Sequence, residues 1–241
     1  MLAHRGLVDS DGATAGVVEN SFAAVAAAHA AGAQFVESDC HLTSDGEVVL
    51  FHDSSLLRVT GDARLVADVT ARELEALMAD RGGLITLRQA LESFPQTRFN
   101  IDIKADAAAL PAADIIAAYA DRVLVTSFSD RARARAAARF AELGVRPAYS
   151  PGQFTMAKIV VAVALGIRPW QKRLFHGFDA LQIPESHGAV KVLTRRLLAA
   201  AHRNHTVVHV WTVNDSADMR RLLDFGVDGL VTDRIDVALT L

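Results

Sequence analysis

At 241 residues, of which 51 % are hydrophobic and 22 % charged, the chain has ample apolar material for a core, which excludes disorder as a general description. A formal net charge of −3 and a pI near 6.3 exclude a global electrostatic footprint for nucleic acid or an anionic membrane, so a phosphate site has to be local. Cys40 is the only cysteine; an intrachain disulfide and a thiolate metal cluster are both impossible, which fits a reducing compartment.

Short β-branched runs alternate with Ala/Leu/Arg-rich segments of helical period, the pattern that implies a parallel sheet. Strands are predicted at 1–4, 35–41, 98–104, 123–127, 145–149, 178–183, 207–212 and 227–232. Helices are predicted at 21–31, 107–120, 130–143, 154–165, 190–204 and 216–225, the last with Asp215 or Ser216 as N-cap and Gly226 as C-cap. Eight strands favour an α/β fold closed as a (β/α)8 TIM barrel, one domain over residues 1–241. Between the second and third barrel strands the order is irregular. A hydrophobic run at 48–50 is followed by helical patches at 70–78 and 86–94, and residues 53–85 are read as a small insertion over one end of the barrel.

The apolar run 22–33 has Asp9, Asp11 and Glu19 where a signal peptide needs cations, and the run 159–167 is far short of a roughly 20-residue span. No transmembrane segment and a cytoplasmic location are the expectation. The cluster Arg131, Arg133, Arg135 and Arg139 reads as a solvated helix face.

In a barrel the reactive groups stand at the C-terminal ends of the strands. The two-residue period places Glu37, Asp39 and His41 on one face of the second strand and Asp102 and Lys104 on one face of the third. Three carboxylates buried together need positive charge between them. A divalent cation answers this, and all-oxygen ligation favours Mg²⁺ or Ca²⁺; a structural ion network with Lys104 and nearby arginines answers it too. His4-Arg5-Gly6 ends the first strand. Its arginine offers a planar fork of donors for phosphate oxygens, and its glycine permits a tight turn. A second histidine, His52, follows the run after the Asp45-Gly46 turn. Imidazoles gain and lose protons near neutral pH.

His4-Arg5-Gly6, Glu19-Asn20-Ser21, Gly32-Ala33, Glu37-x-Asp39, Leu42-Thr43-x-Asp45-Gly46 and His52-Asp53 form an ordered series that resembles the glycerophosphodiester phosphodiesterase family. Asn100-Ile101-Asp102-Ile103-Lys104, Ser127-Phe128, Val210-Trp211-Thr212-Val213-Asn214 and Gly226-Val227-Asp228-Gly229 through Thr232-Asp233 extend the resemblance over nearly the whole chain. It implies metal-dependent hydrolysis of a small-molecule glycerophosphodiester to glycerol 3-phosphate and an alcohol, or, in a lysophospholipase D variant, of a lysophospholipid. It assigns His4 and His52 as the acid–base pair, Glu37, Asp39 and Asp102 as holders of one divalent cation, and Arg5 and Lys104 as phosphate-binding groups. Asp102 departs from the family's usual glutamate by one methylene, and Asn204-His205 replaces a common glycine. Trp211 is expected either to wall the pocket against the substrate or to pack in the core. Glu19 and Asn20 are read as loop-bracing and helix-capping groups and His41 as a pocket-edge residue, and the six remaining histidines are assigned nothing. Nothing in the residues points to nucleic acid or to an oligomeric state.

Overall fold

The computed structural model describes residues 1–241. In chain order it begins with β1 (Leu2–His4), α1 (Ser10–Thr14), α2 (Phe22–Ala30), β2 (Phe35–Leu42) and β3 (Val48–Leu50). Then come α3 (Leu57–Thr60), α4 (Ala71–Met78), α5 (Leu87–Ser93), β4 (Arg98–Ile103), α6 (Ala109–Ile116), β5 (Val123–Thr126), α7 (Asp130–Glu142) and β6 (Ala148–Tyr149). The last part holds α8 (Gln153–Ala164), α9 (Arg168–Phe175), β7 (Ala180–Ile183), the hairpin β8 (Ser186–His187) and β9 (Val190–Lys191), α10 (Arg195–Arg203), β10 (Val207–Val210), α11 (Ser216–Phe225), β11 (Gly229–Thr232) and α12 (Ile235–Ala238).

Eight parallel strands run in the order β6-β5-β4-β2-β1-β11-β10-β7, a nearly closed TIM barrel. At the open seam β6 and β7 meet through Asp179, whose N–H donates to Tyr149 O at 2.9 Å and whose carboxylate accepts from Tyr149 N at 2.8 Å. A side chain there replaces a ladder rung. Outward residues such as Phe99, Ile101 and Ile103 join a 47-residue core against the helices, while their neighbours Asn100 and Asp102 face the lumen side that leads to the mouth.

The segment after β2 departs from the alternation. β3 pairs antiparallel to β2, Cys40 opposite Leu50, and residues 49–78 bury a separate cluster of seven apolar side chains that includes Phe51, Leu74 and Met78. Thr70 and Thr86 cap α4 and α5 with reciprocal Glu73 and Gln89 bonds, which fixes where each helix starts.

Two expectations are corrected. The helix predicted from 190 starts at Arg195, because Thr194 caps it and the exposed Gly188-Ala189 turn folds 186–191 into a hairpin. Ser21, not Asn20, caps α2: its hydroxyl accepts from Ala24 N at 3.1 Å, while Asn20 sits at φ 55° outside the helix. The short helices α1 and α9 lie in stretches where the sequence pattern predicts no element. Asp215 and Gly226 cap α11 as expected.

Candidate active site

β1 delivers His4 to the mouth, and the chain then reverses through two left-handed residues, Arg5 at φ 58° and Gly6 at φ 93°. A Cβ on Gly6 would lie 2.6 Å from the Ala24 backbone, so the close approach of α2 requires glycine. Arg5 N donates to Glu37 O at 2.7 Å and Asn20 N donates to Arg5 O at 2.9 Å, pinning the turn. His4 Nδ1 lies 2.6 Å from Asp233 Oδ1, and Asp233 also accepts from Asn214 Nδ2 at 2.7 Å.

His52 arrives from the antiparallel excursion. Phe51 N donates to Asp39 O at 2.9 Å, which carries the next residue alongside the acidic end of β2. His52 Nδ1 lies 2.6 Å from Asp53 Oδ1, and Arg58 Nε donates to Asp53 Oδ2 at 2.6 Å. Each imidazole thus has its own carboxylate. Arg58 first, then His52, holds the Asp53 carboxyl down at about 2. The His4 hydrogen bond is the main cause that lowers Asp233, with Asn214 adding to it. Both acids stay ionised near neutrality and favour a proton on Nδ1, leaving Nε2 of each ring for exchange.

The acids of β2 and β4 are in register, Asp39 opposite Asp102. Lys104 Nζ stands between them, 2.9 Å from Asp39 Oδ1 and 2.5 Å from Asp102 Oδ2, and Arg5 Nε lies 3.0 Å from Asp39 Oδ2. Of the two sequence readings of this cluster, the ion network with Lys104 and an arginine describes the side chains as they stand. No three Glu, Asp, His or Cys side chains are gathered here as a metal shell. Yet Glu37 Oε2 and Asp102 Oδ1 are buried without a hydrogen-bond partner, the nearest basic nitrogen to Glu37 Oε2 being His4 Nε2 at 3.9 Å. Burial, reinforced by Asp39 and Asp102, pushes Glu37 well above the carboxylate range, and burial likewise raises Asp102. Burial would lower Lys104, but Asp102 and Asp39 outweigh it and push the ammonium up to about 12. The resident cations therefore leave two open carboxyl oxygens, whose raised affinity for a proton marks a place where a hard cation would be accepted in its stead.

All eight residues singled out in the sequence for catalysis, metal or substrate line one cavity of about 530 Å³. Trp211 is in its wall, packed edge-on against Phe128 with ring centroids 6.0 Å apart, and Lys104 Nζ lies 5.0 Å from the Phe128 ring centre. His41 is not at the pocket edge. It is buried, with Nε2 3.1 Å from the His52 carbonyl oxygen, because the β2–β3 pairing closes over it. Asn20 donates to Asp39 Oδ2 at 3.2 Å and accepts from Ser38 Oγ at 2.5 Å, while Glu19 accepts from both Arg5 and Arg58 at 2.7 Å. Sequence reasoning missed Asp53 and Asp233 as partners of the histidines and Phe128 as a wall. The available signals were the adjacency of 52 and 53 and the place of 233 just past the last strand.

Fold and mouth together define a TIM-barrel protein with carboxylate-oriented imidazoles and cations at one rim, an arrangement suited to acid–base chemistry on an anionic substrate. The model of the glycerophosphoryl diester phosphodiesterase family matches residues 4–237, and the chain belongs to that family. It is 34 % identical over 239 residues to a probable glycerophosphodiester phosphodiesterase 2 of Mycobacterium tuberculosis, covering 98 % of this chain and 88 % of the relative. A glycerophosphodiester phosphodiesterase from Thermotoga maritima matches with a TM-score of 0.72 at 27 % identity, covering 99 % of this chain and 96 % of that one. A phosphodiesterase from Oleispira antarctica, solved with the product sn-glycerol-3-phosphate, has the same fold with a TM-score of 0.76 at 22 % identity, covering 99 % and 94 %. No helix is long and apolar enough to cross a membrane.

Proposed function

We propose that this chain hydrolyses glycerophosphodiesters to glycerol 3-phosphate and an alcohol, with His4 and His52 as the proton-transfer pair. One observation carries the reading: two imidazoles line one cavity, each held at Nδ1 by its own carboxylate at 2.6 Å. Arg5 and Lys104 concentrate positive charge for the non-bridging phosphate oxygens where negative charge grows in the transition state. The adjacent glycerol hydroxyl attacks phosphorus and the bond to the alcohol oxygen breaks, giving a cyclic phosphate. One histidine takes the attacking hydroxyl's proton and the other gives its proton to the departing oxygen. Water then opens the ring with the two roles exchanged.

Glu37, Asp39 and Asp102 would hold one divalent cation, Mg²⁺ or Ca²⁺, and the partnerless oxygens of Glu37 and Asp102 support this. When bound, such an ion supplies charge stabilisation for the phosphoryl oxygens. Calorimetric titration of the protein with each ion is expected to show binding that Glu37→Gln weakens; no heat with either ion, and activity indifferent to chelator, would remove the cation from the scheme.

A coupled assay of glycerol 3-phosphate release over a panel of glycerophosphodiesters tests the reaction. His4→Ala and His52→Ala are each expected to lower kcat by ~10²–10⁴-fold. Near-full activity in either variant would refute the pair. A second reading, in which the alcohol carries an acyl chain, is favoured by the apolar wall of Met156, Ala157, Val160, Val161, Val190 and Val192. Comparing kcat/KM for glycerophosphocholine and lysophosphatidylcholine separates the two.

A further inference from the structure

The cavity is flanked on one side by α8 and on another by the β8–β9 hairpin, and both continue outward as exposed apolar surface. On α8 three stripes separate. Ile159, Ala162 and Val163 face the core, Met156, Ala157 and Val160 face the cavity, and Phe154, Lys158 and Leu165 recur along a third face, with Val161 at its border also lining the cavity. Phe154 is 75 % exposed, Leu165 64 %, and Val190 at the hairpin tip 58 %. Exposure is unbroken from Ala164 through Pro169, a turn that includes Ile167.

The charge on this surface is one-sided. Residues 153–177 contain Lys158, Arg168, Lys172 and Arg173 and no aspartate or glutamate, in a chain whose net charge is −3. None of the four takes a carboxylate partner; the next acid along the chain, Asp179, is held by Arg146 at 3.0 Å. Lys172, Arg173 and His176 line a shallow concavity of their own beside Pro169. Lys191 adds a cation to the hairpin. Large apolar side chains standing in water amid unpaired cations match an interface that is apolar inside and anionic at its surface.

We propose that α8, its turn into α9 and the 186–191 hairpin form a docking surface for an anionic lipid bilayer, laying the side of the cavity that α8 walls along the membrane. Phe154, Leu165, Ile167 and Val190 enter the acyl boundary, and Lys158, Arg168, Lys172, Arg173 and Lys191 meet the phosphate headgroups. The near-neutral charge of the whole chain conceals this patch, because the acids that border it are already engaged, Asp130 by the backbone of Phe154 and Thr155 and Glu185 by Arg221.

Sedimentation with vesicles of phosphatidylcholine, with and without phosphatidylglycerol, tests it on the full chain. Binding is expected only to the phosphatidylglycerol vesicles and is expected to fall as salt rises. Phe154→Ser with Leu165→Ser, and separately Lys172→Glu with Arg173→Glu, are each expected to weaken it at least about tenfold. Release of glycerol 3-phosphate from soluble glycerophosphocholine should be unchanged in both pairs, since none of these four side chains lines the cavity. No sedimentation, equal sedimentation with pure phosphatidylcholine, wild-type binding by either pair, or burial of this face in a dimer seen by light scattering would each overturn the proposal. The soluble-substrate assay reads the active site alone, so a failed hydrolysis reading and a failed docking surface give different patterns.

Discussion

His4 and His52 carry the same arrangement reached by unrelated routes, one at the end of a barrel strand and one on an antiparallel excursion. Asp233 and Asp53 make the two rings equivalent, each fixing a proton on Nδ1. They differ in support: Asp233 leans on Asn214, whereas Asp53 leans on Arg58, which Glu19 links back to Arg5. Asp233→Asn keeps the shape but removes the charge that orients His4, and kcat is expected to fall by about tenfold or more with a shifted pH profile. Wild-type kcat in this variant would show that the 2.6 Å contact has no part in turnover. The histidines and the acids of β2 and β4 were legible because motif and strand alternation coincide there. Asp53 and Asp233 were not: an aspartate beside a histidine in sequence says nothing of which ring nitrogen it reaches, and Asp233 meets His4 only because β11 pairs with β1 as the barrel forms.

At the scale of elements, capping decides most boundaries and explains most misreadings. Apolar period runs on from Val190 into α10, but Thr194 Oγ1 accepts from Leu197 N at 3.1 Å and sets the start. At the other end α10 closes at Asn204, and His205 takes the left-handed backbone at φ 57° with its side chain exposed. A left-handed non-glycine residue costs ~1–2 kcal/mol, part of which glycine returns as extra freedom of the unfolded chain. His205→Gly is therefore expected to raise stability by ~0.5–1 kcal/mol, read as a higher urea midpoint at unchanged slope. A lowered midpoint would mean that the exposed ring contributes more than its backbone strain removes.

For the whole molecule, barrel closure places polar groups in a lumen that hydrophobic patterning does not announce. His209, unassigned from sequence, faces inward on β10, with Nδ1 2.8 Å from Gln182 Nε2 and its ring lying where a Cβ on Gly229 would be, 2.8 Å away. Burial lowers its pKa to about 4. Between that value and about 6.5 the unfolded chain binds a proton that the folded chain refuses, so stability falls as pH drops through this window, by on the order of 3 kcal/mol in all. Above it the group contributes no pH dependence. Unfolding midpoints of wild type and His209→Gln measured from pH 7 to 4 are expected to converge as pH falls, the wild type losing more. Parallel curves would refute the buried neutral imidazole.

The sequence by itself determined the alternation of strands and helices, the barrel class and the residues of the mouth, since period-two and helical patterns are local and the motif residues stand at strand ends. Tertiary structure alone decided that Lys104 occupies the space between Asp39 and Asp102, that Asp179 bridges the β6–β7 seam, and that His41 lies beneath His52 rather than beside the cavity. These depend on which strand ends meet across hundreds of atoms of packing, and burial and Coulomb interaction act on distance in space, to which spacing along the chain is blind.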